Sequence, residues 1–299
     1  MQGKYRKLIL IGIPYLWLVI FFLLPFLIVL KIALSDPAVS IPPYTPTLDV
    51  FGGWAEWKAF LGQLDFDNFQ WLLDDALYIS SYLSSLQIAS ISTLLTLMIG
   101  FPVAYGMARA PDNWRPVLLT LIILPFWTSF LIRVYAWIGI LKTEGLLNQF
   151  LLMLGLIDEP MIILNTLPAV YIGIIYSYLP FMVLPIYSTL EKMDESLLEA
   201  AIDLGCNKIS AFWLVTVPLA LPGIVAGCFL VFIPAVGEFV IPDLLGGAKT
   251  LMIGKVLWTE FFNNRDWTVA SAVAVVLLLI LVIPIVVFQK IIERQQEKA

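Results

Sequence analysis

The sequence predicts an all-α integral membrane protein with six transmembrane helices. Of its 299 residues, 61% are hydrophobic and only 13% charged, with a mean hydropathy of +0.94. Soluble domains run nearer half apolar and about a quarter charged. Six apolar stretches, residues 8–34, 79–108, 116–140, 161–190, 218–241 and 269–292, each reach the roughly 20 residues a helix needs to cross a bilayer. The cations supply the third observation. With both termini inside, ten Lys and Arg fall in inner segments and six in external ones, which is the positive-inside bias.

The first stretch follows a basic start, Lys4-Tyr5-Arg6-Lys7. Its apolar run exceeds the roughly 7–15 residues of a signal peptide, so it reads as an uncleaved anchor. The external segment 35–78 opens with Pro37, Pro42, Pro43 and Pro46, then places Trp54, Trp57, Phe60, Leu61 and Leu64 at helical spacing. That pattern predicts an amphipathic helix on the outer membrane surface, with aromatics at headgroup level, or a lid packed over the other helices. Pro102, Pro125, Pro180, Pro185 and Pro284 fall inside predicted spans, where neighbouring helices can satisfy the freed backbone groups. The external loops carry 13 acids against six bases, so the outer surface is anionic. The chain divides into an anchor helix with its external segment (1–78), a core of five helices (79–292) and a short inner tail (293–299).

Residues 191–217 form the long inner connection between the fourth and fifth spans. Ser196-x-x-Glu199 has the form of a capping box, with Asp194 as a competing N-cap. Leu197, Leu198, Ala201 and Leu204 give an apolar stripe over about 194–204. Gly205 stands where a left-handed C-terminal residue belongs. Asn207 can cap a second short helix bearing Phe212, Trp213 and Val215. A helical hairpin with one apolar face is a docking element, or a hairpin packed back on its own bundle.

Composition excludes several classes. The chain has no histidine, which removes Ser-His-Asp hydrolases and His-ligated zinc. Cys206 and Cys228 sit at different predicted depths and match no disulfide or metal spacing. Net charge is −5 with no basic run, so no nucleic-acid partner is expected. The strings nearest to a P-loop, Gly246-Gly-Ala-Lys-Thr250 and Gly254-Lys255, lack its glycine spacing. Any ATP-driven role therefore needs another subunit.

Glu199-Ala200-Ala201, Gly205 and Pro218 resemble the EAA motif, E-A-A-x3-G-x9-I-x-L-P, of the permeases of binding-protein-dependent ABC importers. Val215 and Val217 stand where that family has Ile and Leu. The runs LPFWTSFLIRVY (124–135), YLPFMVLPIY (178–187), FIPAVGEFVIPDLLGG (232–247) and FFNNRDW (261–267) are similar to spermidine/putrescine permeases, most of all to those for putrescine. The resemblance runs from end to end. It implies a type I (MetI-like) importer half of the bacterial inner membrane, with a cytoplasmic coupling helix at about 194–204. It further implies a second, different permease subunit, two ATPase subunits that bind ATP and Mg, and a periplasmic polyamine-binding protein. Glu199, Ala200, Ala201, Gly205 and Pro218 become the ATPase-coupling residues, and the chain itself binds no cofactor.

Apart from Lys31 and Lys290 at span ends, two charged groups lie within predicted spans, Arg133 and Glu238, and such groups are costly unless paired or functional. They could pair with each other. Alternatively Glu238, helped by Asp243, could meet a substrate ammonium, with Trp127, Tyr135, Tyr176 and Tyr178 offering ring faces along the pathway. Glu238 could also be interfacial and solvated. A channel or a passive membrane scaffold is the competing functional class. An independent carrier is disfavoured, because the six spans show no evident inverted repeat.

Overall fold

The computed structural model describes residues 2–47, 53–248 and 250–296. Lys249, Lys298 and the end of the expected tail 293–299 lie outside the described residues.

Two compact units emerge, the chain up to Tyr82 with the chain from Val256 on, and the stretch Leu83–Lys255. This division cuts across the segments 1–78, 79–292 and 293–299, because the last helix packs beside the first. In the first unit, helix α1 runs from Gln2–Leu18 through a π-turn, Val19–Leu23, into Leu24–Ala33. A two-stranded ribbon follows, with β1 (Asp36–Pro37) antiparallel to β2 (Tyr44–Thr45). Helices α2 (Trp54–Leu61) and α3 (Asp67–Asp74) come next. The expected amphipathic stripe is split: Leu64 falls beyond α2, Trp54 is 85% exposed, and Phe60 lies under the Lys31 ammonium. Asn68 of α3 donates to the carbonyls of Ala33 and Ser35, 2.9 Å each, and so closes the end of α1.

The second unit holds most of helix α4 (Ala76–Ala108). After it come α5 (Arg115–Trp127), α6 (Phe130–Leu141), α7 (Leu146–Met153) and α8 (Leu167–Glu191). Then follow α9 (Ser196–Asp203), α10 (Lys208–Val236) and α11 (Val240–Leu245). The chain returns to the first unit along α12 (Ile253–Trp258), a further π-turn (Thr259–Asn264) and α13 (Trp267–Gln296). Tyr82 donates to the Val273 carbonyl at 2.7 Å and Tyr78 to Glu260 at 3.1 Å, which ties the start of α4 to this returning segment.

Among the described residues, α1, α4, α8 and α10 are each long and apolar enough to cross a membrane. The expected third span is not one helix. It is α5 and α6, bent by 91° at Thr128-Ser129. Its apolar composition is continuous, so hydropathy alone hides the bend; Pro125, inside a tight turn of 3₁₀ helix, begins it. The expected fifth span also breaks, at Gly237–Phe239 between α10 and α11. The second short helix expected after Asn207 is the start of α10, which continues through a π-turn at Phe212–Thr216. That turn ends two residues before Pro218, and the π-turn of α1 ends two residues before Pro25. Proline cannot donate to the carbonyl four residues back, and its ring crowds that carbonyl, so a locally widened turn is the outcome.

The buried core of the second unit is shared by α4, α8 and α10 through Ala104, Met107, Met182, Val183, Ile186, Ala220 and Val231. Helices in lipid gain little from hydrophobicity against one another, so they associate by close packing over small residues. Gly223 and Gly227, four apart on α10, provide that contact. A Cβ at Gly223 would stand 2.5 Å from the Thr189 hydroxyl and 2.7 Å from the Pro185 carbonyl. One at Gly227 would meet the Met182 carbonyl at 3.0 Å. Gly106 of α4 has nothing within 4 Å of its Cβ direction. Gly223→Ala should therefore lower stability by about 1–3 kcal/mol, while Gly106→Ala should not. Thermal unfolding of the detergent-solubilised chain reads both; an equal effect at the two sites would disprove the seam.

Candidate functional site

The two helix breaks converge on α8. Phe126, Thr128, Phe130 and Arg133 from the α5–α6 bend face Ser177, Tyr178 and Phe181 of α8 and Glu238 from the α10–α11 break, around a cavity of about 410 Å³. Irregular backbone at membrane depth is tolerated only where protein buries it or where it lines a cavity. The α10–α11 break is largely buried, while the exposed α5–α6 bend lines the cavity through Phe126 and Thr128.

Glu238 is 7% exposed. Its Oε2 accepts the Tyr178 hydroxyl at 2.5 Å. Its Oε1 accepts the amides of Phe239 at 3.1 Å, Val240 at 3.0 Å and Ile241 at 3.4 Å. The carboxylate thus caps α11 with its own neighbouring backbone, which satisfies much of what burial takes from it. Arg133 is not ion-paired with it. Its guanidinium lies 5.3 Å from the Phe126 ring centroid and 5.9 Å from that of Phe130, and its Nε is buried without a hydrogen-bond partner. The expected Arg133–Glu238 pair is therefore corrected to two charges in one cavity, each held by other groups. The Ser177 hydroxyl is buried there without a partner as well.

Of the other pathway residues expected from sequence, only Tyr178 reaches this cavity. Trp127 is 76% and Tyr135 58% exposed, on the outside of the bend and of α6. Tyr176 packs edge-on against Trp137 at 5.3 Å. Asp243 is ion-paired with Lys255 at 3.0 Å and does not line the cavity. The ring faces expected from sequence are those of Trp127, Tyr135, Tyr176 and Tyr178, whereas the cavity is lined by Phe126, Phe130 and Phe181 beside Tyr178. Phe181 lies three residues after Tyr178, on the same helix face, which was a readable signal.

The connection from α8 to α10 forms a second candidate element. Asp194, rather than Ser196, opens α9: its Oδ1 accepts the Ser196 amide at 2.9 Å, a bond that holds its carboxyl below the usual carboxylate range. The far end closes in a Schellman motif, with Cys206 N–H to the Ala201 carbonyl at 3.0 Å and Gly205 N–H to that of Ile202 at 2.9 Å. Gly205 has φ +92°, and nothing lies within 4 Å of its Cβ direction, so conformation rather than space requires glycine there. Asn207 accepts the Ser210 amide at 2.8 Å and caps α10. α9 buries no residue; Glu199 and Ala200 are exposed, Ala201 is half-buried, and Pro218 is exposed early in α10. An isolated helix of eight residues is marginal in water, so α9 depends on its ends. An ion pair from Arg109, just after α4, to Glu195 fixes one of them. Phe212 fixes the start of α10, meeting Phe101 at 5.8 Å and Tyr105 at 5.6 Å edge-to-face.

A family model for the inner membrane component of binding-protein-dependent transport systems matches residues 97–298. The chain belongs to this family. It is a transport permease rather than an enzyme. The spermidine/putrescine transport system permease PotB of Escherichia coli K12 is 48% identical over 222 residues, which cover 74% of this chain and 80% of that protein. PotB of Haemophilus influenzae is 40% identical over 300 residues, covering 99% and 98%. In fold, the chain is similar to a bacterial ABC transporter that imports the acidic polysaccharide alginate, at a TM-score of 0.69 and 16% identity over 98% of both chains. It is also similar to the MetNI methionine ABC transporter, at 0.53 and 18% identity over 73% of this chain and 95% of that one. The MetI-like permease fold anticipated from the EAA motif is therefore present.

Because the Glu238 carboxylate is held by α11 and Tyr178, stability should not couple it to Arg133. Glu238→Ala should cost about 1–3 kcal/mol through the lost cap. Glu238→Gln keeps an acceptor and should cost less. Arg133→Gln should rescue neither variant in a double-mutant cycle read by thermal unfolding. Clear rescue would restore the ion pair that the geometry omits.

Proposed function

We propose that the chain is one of two different permease halves of an ATP-driven polyamine importer of the bacterial inner membrane, carrying putrescine or spermidine. The observation that carries this reading is the cavity at the two helix breaks, which combines a carboxylate with several aromatic rings. An ammonium gains from ring faces and from a nearby carboxylate. Glu238 already has its hydrogen bonds, so its hold on an arriving ammonium is weak, as release of a cargo requires. The PotB relatives support the cargo class, with the finer choice of amine left to a periplasmic binding protein.

In this reading both termini are cytoplasmic and α9 faces the cytoplasm, where its exposed surface docks on one of two ATPase subunits. Those subunits hold ATP and Mg. Glu199, Ala200 and Ala201 lie on the docking helix, Gly205 makes its turn, and Pro218 sets the widened turn that begins the span. Trp127, Tyr135 and Tyr176 serve lipid and helix contact. Asp243, with Lys255, belongs to the outer face.

The test is reconstitution of the chain with its partner permease, ATPases and binding protein in liposomes. ATP-dependent uptake of labelled putrescine or spermidine is expected. Amine flux through the chain without ATPases would instead mark a channel. Gly205→Val puts a β-branched residue at φ > 0 and should abolish uptake, either by loss of the ATPases or by hydrolysis without import; normal uptake by a well-expressed variant would refute the coupling role. Orientation has its own measurement. In a Cys-free background, a thiol at the fully exposed Val39 should react with an impermeant reagent from outside intact cells. Labelling only after the cells are opened would reverse the topology.

A further inference from the structure

The cavity holds one cation of its own. Arg133 lies over the rings of Phe126 and Phe130, in the position an ammonium would take for the same quadrupole attraction. The rings, Arg133, Tyr178 and Glu238 line one space. Several features make this a loose tenancy. The guanidinium does not reach the carboxylate, which Tyr178 and three amides occupy. Its Nε is buried without a hydrogen-bond partner, and so is the Ser177 hydroxyl on the facing helix. A buried unpaired donor is costly, so this arrangement is held by ring contact alone and is readily given up. Two cations cannot share the site at low cost, because like charges at such separations in a partly desolvated cavity repel by several kT.

We propose that Arg133 is a resident competitor of the cargo. It fills the ammonium subsite over Phe126 and Phe130 when the pathway is empty, and must swing away for an amine to enter. The inference rests on the polyamine reading above and adds a specificity-determining residue to it. The Arg133 charge keeps single, weakly held cations out. A diamine delivered at high local concentration by its binding protein can displace the guanidinium, and the returning guanidinium then favours release.

The experiment uses the assembled complex. ATP-dependent uptake of putrescine and of spermidine by the wild type is measured first, and the absence of both overturns the polyamine reading and this inference with it. Putrescine binding is then measured by equilibrium dialysis on the detergent-purified complex without binding protein. Arg133→Gln should bind about tenfold tighter than wild type or more, the effect of removing one competing cation. Arg133→Lys keeps the charge and should bind as the wild type does. Adding Glu238→Gln to Arg133→Gln should remove the gain. Unchanged binding in Arg133→Gln, with wild-type uptake intact, overturns the competitor alone, as does an Arg133→Lys that behaves like Arg133→Gln. Arg133→Met serves as a second neutral variant. Failure of both neutral variants to assemble also overturns the proposal, because Arg133 would then be a structural residue.

Discussion

The close approach of α10 to α8 at Gly223 and Gly227 is the constraint on which the rest of the second unit depends. No larger residue fits between these backbones without displacing the Pro185 or Met182 carbonyl. Dispersion contacts weaken steeply with small gaps, so a seam of this kind has one good register. Met182 also fills the notch at Gly100 of α4, where a Cβ would come within 2.9 Å of its side chain, so the same residue locks a third helix to the pair. In lipid, where apolar surface gains little by leaving the solvent, this shape match does the work that hydrophobic burial does in water.

Both candidate elements are extensions of that pair. At one end, α8 and α10 are joined through α9, whose exposed surface is held by the Asp194 cap, the Gly205 turn and the Arg109–Glu195 ion pair. Away from α9, the middle of α8 contributes Ser177, Tyr178 and Phe181 to the cavity, and the end of α10 breaks at Gly237 to present Glu238. Phe212 adds a lateral link, since its ring lies edge-to-face with two α4 aromatics at the start of α10. Between α9 and the cavity there are thus two packed helices rather than a flexible loop.

Much of this is legible in sequence. Hydropathy marks the apolar runs, and the left-handed turn at Gly205 and the cap at Asn207 follow from residue type alone. The Gly223-x-x-x-Gly227 spacing is likewise a readable sign of close helix packing. What the sequence hides is backbone direction. Pro125 with Thr128-Ser129 turns the chain by 91° inside a run whose average hydropathy stays high, so the run resembles a straight helix. Glu238 misleads for a related reason. A carboxylate at membrane depth needs a partner, but once α10 has broken, amides of its own chain serve in place of a cation. The phenylalanines of the cavity stay hidden too, because composition cannot separate a ring that faces lipid from one that faces a cavity.

If α8 and α10 act as one body, the distance between them is the same in every state of the transport cycle. Spin labels at Lys192, just after α8, and Leu219, near the start of the α10 span, are both exposed and report it by pulsed electron resonance. The account predicts one distance distribution for the assembled complex, unchanged between the nucleotide-free and the ATP-trapped states. Two separated distributions that exchange with nucleotide would contradict it.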